Sequence, residues 1–342
     1  MTFKMGVLVA LAGLARVKAV AATPDELFRA GVVSLQAGKF AEAETAFRNL
    51  YAAVPGNVMG LEGVAQVYVA QGKKDDALRI LDEELAKKPA WPELHVLIGD
   101  TAMRAGGYDR ALTEFRRALD GMDFKNANNF YVRRGGDGSN ALAVLIGPDG
   151  TPKGAAGIYL RIAEVYRAKN DPAASVAALR SADELAPHTG AILGNLGVEL
   201  DASGKKKEAV EAYRAALKVN PNDPEALNNL SFLIADSGDG DLYEALRMAR
   251  HAKQLAPNVP DIADTEGWVS LKLGWTDDAI GIFGDLVRKR PDSKQFREHL
   301  LLALEKNGEK TVKVTELIAA LKQEPTADNQ DKVKVLLEKP VK

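Results

Sequence analysis

The sequence predicts an all-α protein built as a solenoid of about eight helix-turn-helix units with one irregular insertion, and three observations carry that expectation. Prolines at Pro55, Pro89, Pro187, Pro221, Pro257, Pro291 and Pro325 recur, apart from one gap and one slightly long interval, every 34 residues. Each stretch between them reads as two amphipathic helices and a turn, most clearly from Pro187 to Pro221. Small residues recur at fixed distances before each proline. A repeat of this length signals stacked helix pairs, which grow by adding neighbours, so 342 residues need not wrap one central core.

Taken in order, residues 1–22 stand apart from the rest. Lys4 precedes an apolar run from Met5 to Ala15, and small residues lead to Ala21 and Ala22 before the polar Thr23-Pro24-Asp25. This reads as a signal peptide cleaved near Ala21 or Ala22, with an apolar core too short to span a bilayer; an uncleaved amphipathic anchor is the alternative. Removing it takes away Lys4, Arg16 and Lys18 and no acid, moving the net charge from -2 to -5. The mature chain has no expected transmembrane span and is expected in the periplasm or secreted.

Residues 23–123 carry units one to three. In the first, Gly31, Gly38, Ala43 and Phe47 precede Pro55, and in the second Ala65, Gly72, Ala77 and Leu81 precede Pro89 at the same offsets. The third has Gly99, Gly106, Ala111 and Phe115, with Asp123 where a proline is expected. Each landmark has a physical reason. Small residues let two helices cross closely, the central glycine ends the first helix in a left-handed conformation, the large residue fills the gap, and proline stops the second helix.

Residues 124–153 interrupt the period with the glycine-rich Arg133 to Gly138 and an apolar run, Ala141 to Ile146, ahead of Gly147-Pro148-Asp149-Gly150. That composition reads as a strand or small hairpin. Units four to eight occupy 154–325. The sixth has two extra residues in the turn from Ser237 to Asp241, and the eighth is degenerate, as a terminal repeat should be. Residues 326–342 form a capping segment, in which Asn329 to Glu338 read as a final helix.

Composition excludes several chemistries. There is no cysteine, hence no disulfide, thiolate nucleophile, thioether lipid anchor or cysteine-ligated metal. His95, His188, His251 and His299 are scattered without metal-ligand spacing and read as surface or interface residues. No phosphate loop, nucleophile elbow or metal-binding helix motif is present, so no enzyme activity and no cofactor are expected. A net charge of -2 with no basic tail argues against a nucleic-acid partner.

The landmarks Leu193, Leu196, Gly197, Ala209, Tyr213, Ala216 and Pro221 resemble the tetratricopeptide repeat, and the resemblance extends over roughly residues 23–325. It implies a right-handed superhelical solenoid whose first helices line a concave groove that binds proteins or peptides. On that expectation the partner-binding residues are Asp100, Arg104, Glu164, Arg167, Asn195, Asn229, Phe232, Asp236, Asp264, Trp268 and Lys272, with Asp201, Glu298 and Glu305 adding to an acidic excess. Such a groove favours a basic or polar segment; ordinary solvated helix faces are the alternative. The family's carboxylate clamp is absent, since Phe28, Val32, Gly63, Glu93 and Leu97 stand at its places.

Asn195 and Asn229, 34 residues apart, could hold a peptide backbone or serve helix packing. Phe232 and Trp268 should meet across neighbouring units, as a binding hot spot, a sugar platform or core packing. Glu266 stands where leucine is usual, and a buried carboxylate there needs a partner. The stretches around Leu227 to Phe232 and Asp264 to Val269 look like those of exported bacterial envelope proteins, some serving exopolysaccharide export. The expected function is therefore a non-enzymatic scaffold for protein–protein interaction, with a carbohydrate-binding envelope protein as the alternative.

Overall fold

The computed structural model describes residues 22–121, 154–238 and 240–338. The expected signal segment up to residue 21 and the 124–153 insertion with its hairpin lie outside the described residues. Among those described there are 17 α-helices and no strand. In order they are α1 Pro24–Gln36, α2 Phe40–Ala53, α3 Met59–Ala70, α4 Lys74–Leu85, α5 Pro92–Arg104, α6 Tyr108–Asp120, α7 Gly154–Ala168, α8 Pro172–Leu185, α9 Gly190–Ala202, α10 Lys206–Val219, α11 Pro224–Ser237, α12 Leu242–Leu255, α13 Pro260–Lys272, α14 Thr276–Lys289, α15 Lys294–Asn307, α16 Val312–Leu321 and α17 Ala327–Leu337. They fall into two compact units divided between Ala105 and Gly106. The first holds α1 to α5, the second α6 to α17.

Helix ends follow local chemistry. Thr23 and Glu26 form a reciprocal capping box at α1. Asp171, Asp223, Asp241, Ser293, Thr311 and Thr326 accept from backbone N–H groups at the starts of α8, α11, α12, α15, α16 and α17. Between the helices of a pair the chain reverses through a left-handed residue, as at Gly204 (φ 74°) and Gly274 (φ 82°). At the equivalent place in the fourth pair Asn170 takes φ 57°; asparagine is one of the few residues with a Cβ that visits this region routinely.

Within a pair, a glycine of the first helix lies against an aromatic ring of the second. A Cβ added to Gly197 would stand 2.6 Å from Tyr213 Cε1, and one added to Gly267 would stand 2.6 Å from Phe283 Cε1. Gly31 and Phe47 repeat the contact in the first unit, again at 2.6 Å. Tyr213, Phe47 and Phe283 are all at most 2% exposed. The core of the second unit is a seam passed from pair to pair: one cluster runs from Val176 through Leu200, Tyr213, Leu230 and Leu246 to Val269, and a second from Leu271 to Leu337.

Glu266, 8% exposed, has the partners its burial requires: Arg250 Nε at 3.2 Å and Lys253 Nζ at 2.7 Å, both from α12. At the C-terminal end, Arg297 is 3% exposed and donates through Nη2 to the Ala320 and Gln323 carbonyls, each at 3.0 Å, and to Asn329 Oδ1 at 2.7 Å. That arginine ties α15 to α16 and α17. Val333 and Leu337 of α17 are buried in the terminal cluster. The eighth pair departs from the 34-residue register. Its second helix is capped by Thr311, two residues later than the place equivalent to Trp275, and Val314 takes a buried position while Lys313 does not.

The glycine contacts give a paired test. Gly281, inside α14, has nothing within 4 Å of an added Cβ, so Gly281→Ala should raise stability by up to about 1 kcal/mol through helix propensity. Gly267→Ala gains the same propensity and meets the Phe283 ring, for a net loss of about 1–2 kcal/mol. Chemical denaturation of both variants checks the opposite signs. Replacing Arg250 and Lys253 together by alanine should cost about 1–3 kcal/mol, because the Glu266 carboxylate loses its cations. Glu266→Leu should be neutral within about 1 kcal/mol, and a larger loss in the same titration would show that the ion pairs stabilise more than an apolar replacement does.

Candidate functional site

The first helices of the second unit, α7, α9, α11, α13 and α15, are where most of the expected binding residues fall, and contacts between them cross from pair to pair. Arg167, on α7, donates through Nε to the Glu199 carboxylate and through Nη2 to Asn195 Oδ1 at 2.8 Å, both on α9. Glu199 is 2% exposed, so this ion pair replaces water that the carboxylate has lost. Asn195 Nδ2 donates to the Ala191 carbonyl at 2.8 Å. Both ends of that amide are therefore engaged within the chain. Asn229 Nδ2 faces the Tyr213 hydroxyl at 3.3 Å, and its Oδ1 accepts from Asn228 at 3.2 Å. Burial pushes the Tyr213 phenol well above its usual range, so it stays neutral.

The aromatic residues expected to meet do so. Phe232 on α11 and Trp268 on α13 stack with ring centroids 6.3 Å apart and planes 29° apart. His299 on α15 extends the run, 4.8 Å from Trp268. Lys272, one turn after Trp268, holds its Nζ 4.6 Å from the indole centroid. Beneath them Asp264, 2% exposed, accepts from His299 Nδ1 and from Gln295 Nε2, each at 2.8 Å. Asp264 thus orients two α15 side chains from a buried position and does not itself face solvent. The Trp268 indole nitrogen and the Asn228 amide oxygen are buried and reached by no hydrogen bond among the described residues.

Some of the charged positions are paired. Asp236 accepts from Lys206 Nζ at 2.8 Å, and Glu305 pairs with Lys322 at 2.9 Å. Glu164 and Glu298 are exposed. Asp100 and Arg104 lie one turn apart on α5 in the first unit, Asp100 half-buried and Arg104 exposed. The acidic excess counted along the sequence is thus cancelled only in part, with Glu164 and Glu298 left exposed. His299, which reads from sequence only as a surface or interface residue, completes the cluster together with Gln295, Asn228 and Glu199, which sequence reasoning did not single out. The available signal was register: His299 follows Asp264 by 35 residues, about one repeat. No group of His, Asp or Glu able to hold a metal occurs among the described residues, and no described helix is long and apolar enough to cross a membrane.

Asp201 supplies a pH test. Burial raises its carboxyl above the usual value, with the Asp236 charge adding to the shift and Lys206 opposing it. A raised folded-state value means that ionisation costs stability. The contribution is fully present below the unfolded value, near ~3.9, and is lost as pH rises through the folded one. Asp201→Asn should therefore raise the Tm at pH 7 and leave it unchanged at pH 3; an equal gain at both would assign the effect to something other than charge.

Sequence profiles of the tetratricopeptide repeat match residues 34–101, 156–189 and 200–238. No curated protein matches the chain. Among solved structures, a chain of the APC/C hetero-tetramer Cut9-Hcn1 is similar with a TM-score of 0.53 at 14% identity, over 82% of this chain and 48% of that one. The present chain thus spans about half the length of that relative. Pseudomonas aeruginosa pilF aligns over 80% of this chain and 95% of its own at 16% identity, TM-score 0.46. YrrB, described as a TPR protein with an unusual peptide-binding site, aligns over 64% and 95% at 16% identity, TM-score 0.42. Paired helices, left-handed turns, small-on-large crossings and three matching profiles together make this chain a tetratricopeptide repeat protein.

Proposed function

We propose that the protein is a non-enzymatic interaction scaffold that holds a protein or peptide segment on the first-helix face of the second unit. The observation that carries this reading is the Phe232–Trp268–His299 run, which crosses three consecutive first helices, α11, α13 and α15. Aromatic side chains already packed against one another lose little freedom on binding, which is how a small patch supplies most of an interface's energy. A polar or basic segment suits the face, with Glu164 and Glu298 as its exposed carboxylates. The glycan alternative asks for an open aromatic face. Trp268 already has Phe232, His299 and Lys272 around its ring, which favours a peptide side chain against the indole edge.

The working place of this scaffold is outside the cytoplasm, within an envelope or exopolysaccharide-export assembly. Export rests on Lys4, the apolar run that follows it and the small residues before Ala22. N-terminal sequencing of the protein from periplasmic and cytosolic fractions tests this, and an intact Met1 in the cytosolic fraction alone would refute it.

Binding is tested by crosslinking capture with the exported chain, followed by an array of peptides from the captured proteins. Trp268→Ala should weaken the best peptide at least about tenfold, with helical circular dichroism unchanged. Wild-type affinity in a fully helical Trp268→Ala variant would move the site elsewhere, and retention on a glycan matrix in place of the peptide array would favour the alternative.

A further inference from the structure

A second surface lies at the starts of the second helices of the sixth and seventh pairs. Tyr243, in the first turn of α12, is 58% exposed, and Trp275, the N-cap of α14, is 37% exposed. Their rings meet edge to face, 6.2 Å apart. Neither residue is explained by the fold. Trp275 makes no side-chain hydrogen bond as a cap, where Ser, Thr, Asp or Asn would, and Tyr243 contributes little to the core.

The charges around the pair differ from those of the equivalent turns. The turns at 38–39, 72–74, 204–207 and 308–310 carry lysine, and that at 106–110 has no lysine but an arginine, Arg110. Residues 240–244 and 274–278 carry no base and four acids: Asp241, Glu244, Asp277 and Asp278. Asp241 caps the Tyr243 N–H at 2.8 Å, Glu244 is bonded to both Nη atoms of Arg214, and Asp277 accepts from Asn307 at 3.1 Å. Asp278 is exposed and makes no ion pair or hydrogen bond among the described residues.

We propose that this edge docks a cationic protein segment, with an arginine guanidinium lying against the Tyr243 and Trp275 rings and reaching Asp278. A planar cation matches exposed aromatic faces and a carboxylate at once, whereas a lysine matches only the charge. The same acids disfavour nucleic acid and an anionic lipid surface. This surface is distinct from the first-helix face: among the described residues no ring contact joins Tyr243 or Trp275 to Phe232, Trp268 or His299.

The chain has three tryptophans, Trp91, Trp268 and Trp275, so each indole N–H can be followed separately by NMR. Titration of the full chain at low salt with an acetylated, amidated arginine-glycine repeat peptide should shift the Trp275 signal saturably and leave Trp91 and Trp268 in place. Asp278→Asn should weaken that binding about threefold and Tyr243→Ala about fivefold. A Trp275 signal that stays still, or one that moves equally with a serine-glycine peptide, overturns the proposal. Movement at Trp268 alone also overturns it and transfers cation recognition to the first-helix face, while failure at Trp275 leaves the binding test at Trp268 unaffected.

Discussion

The close crossing of a small residue on one helix against a large one on the next is the constraint on which the helix pairs depend, and in the first, fifth and seventh pairs it is a glycine against an aromatic ring. Gly197 under Tyr213 and Gly267 under Phe283 bring two helix axes closer than any side chain would allow. The ring then fills the space that the glycine leaves open. Because the interior is packed to near-crystalline density, the crossing geometry is set by this fit and not by the many weaker contacts around it. Repeating helix pairs at an interval of about 34 residues stacks like on like, so residues one repeat apart become neighbours on adjacent helices.

That consequence governs the charges as well. Arg167–Glu199, Arg180–Glu208, Lys206–Asp236 and Arg214–Glu244 all join one pair to the next across 28 to 32 residues of sequence. Exposed pairs of this kind contribute little stability singly. Their effect is on the field: among the acids of the first helices, Glu199 is neutralised by Arg167 and Asp236 by Lys206, while Glu164 and Glu298 stay exposed. Recognition there falls to the aromatic run and to the amides beside it. On the turn edge at α12 and α14 it is Asp278 that stays exposed and unpaired among the described residues, beside the Tyr243 and Trp275 rings.

The end of the stack shows the same economy in another form. Arg297 is buried at a place where its guanidinium can meet carbonyls at the end of α16 and the amide of Asn329. A charge with that many acceptors needs no carboxylate partner, although burial still lowers its proton affinity. Through it the irregular eighth pair and α17 are fastened to α15. Val333 and Leu337 of α17 are thereby held in the apolar cluster of α14 to α16.

The helix pairs, the turn residues and the approximate boundaries were legible from the sequence because they follow from local chemistry: helical periodicity, left-handed glycines, capping side chains and helix-stopping prolines. The meeting of Phe232 and Trp268 was legible too, since a constant period places equivalent residues side by side. His299, Gln295 and Asn228 were not, because their roles depend on orientation across a helix pair that no spacing specifies. Asp264 likewise reads as a groove-lining residue until its burial is known. By itself the sequence determined the repeat, and with it which residues can be neighbours, since both depend on periodicity along one chain. Only the tertiary structure decided which charges survive unpaired and which aromatics stay exposed, because pairing and burial are properties of the space between helices.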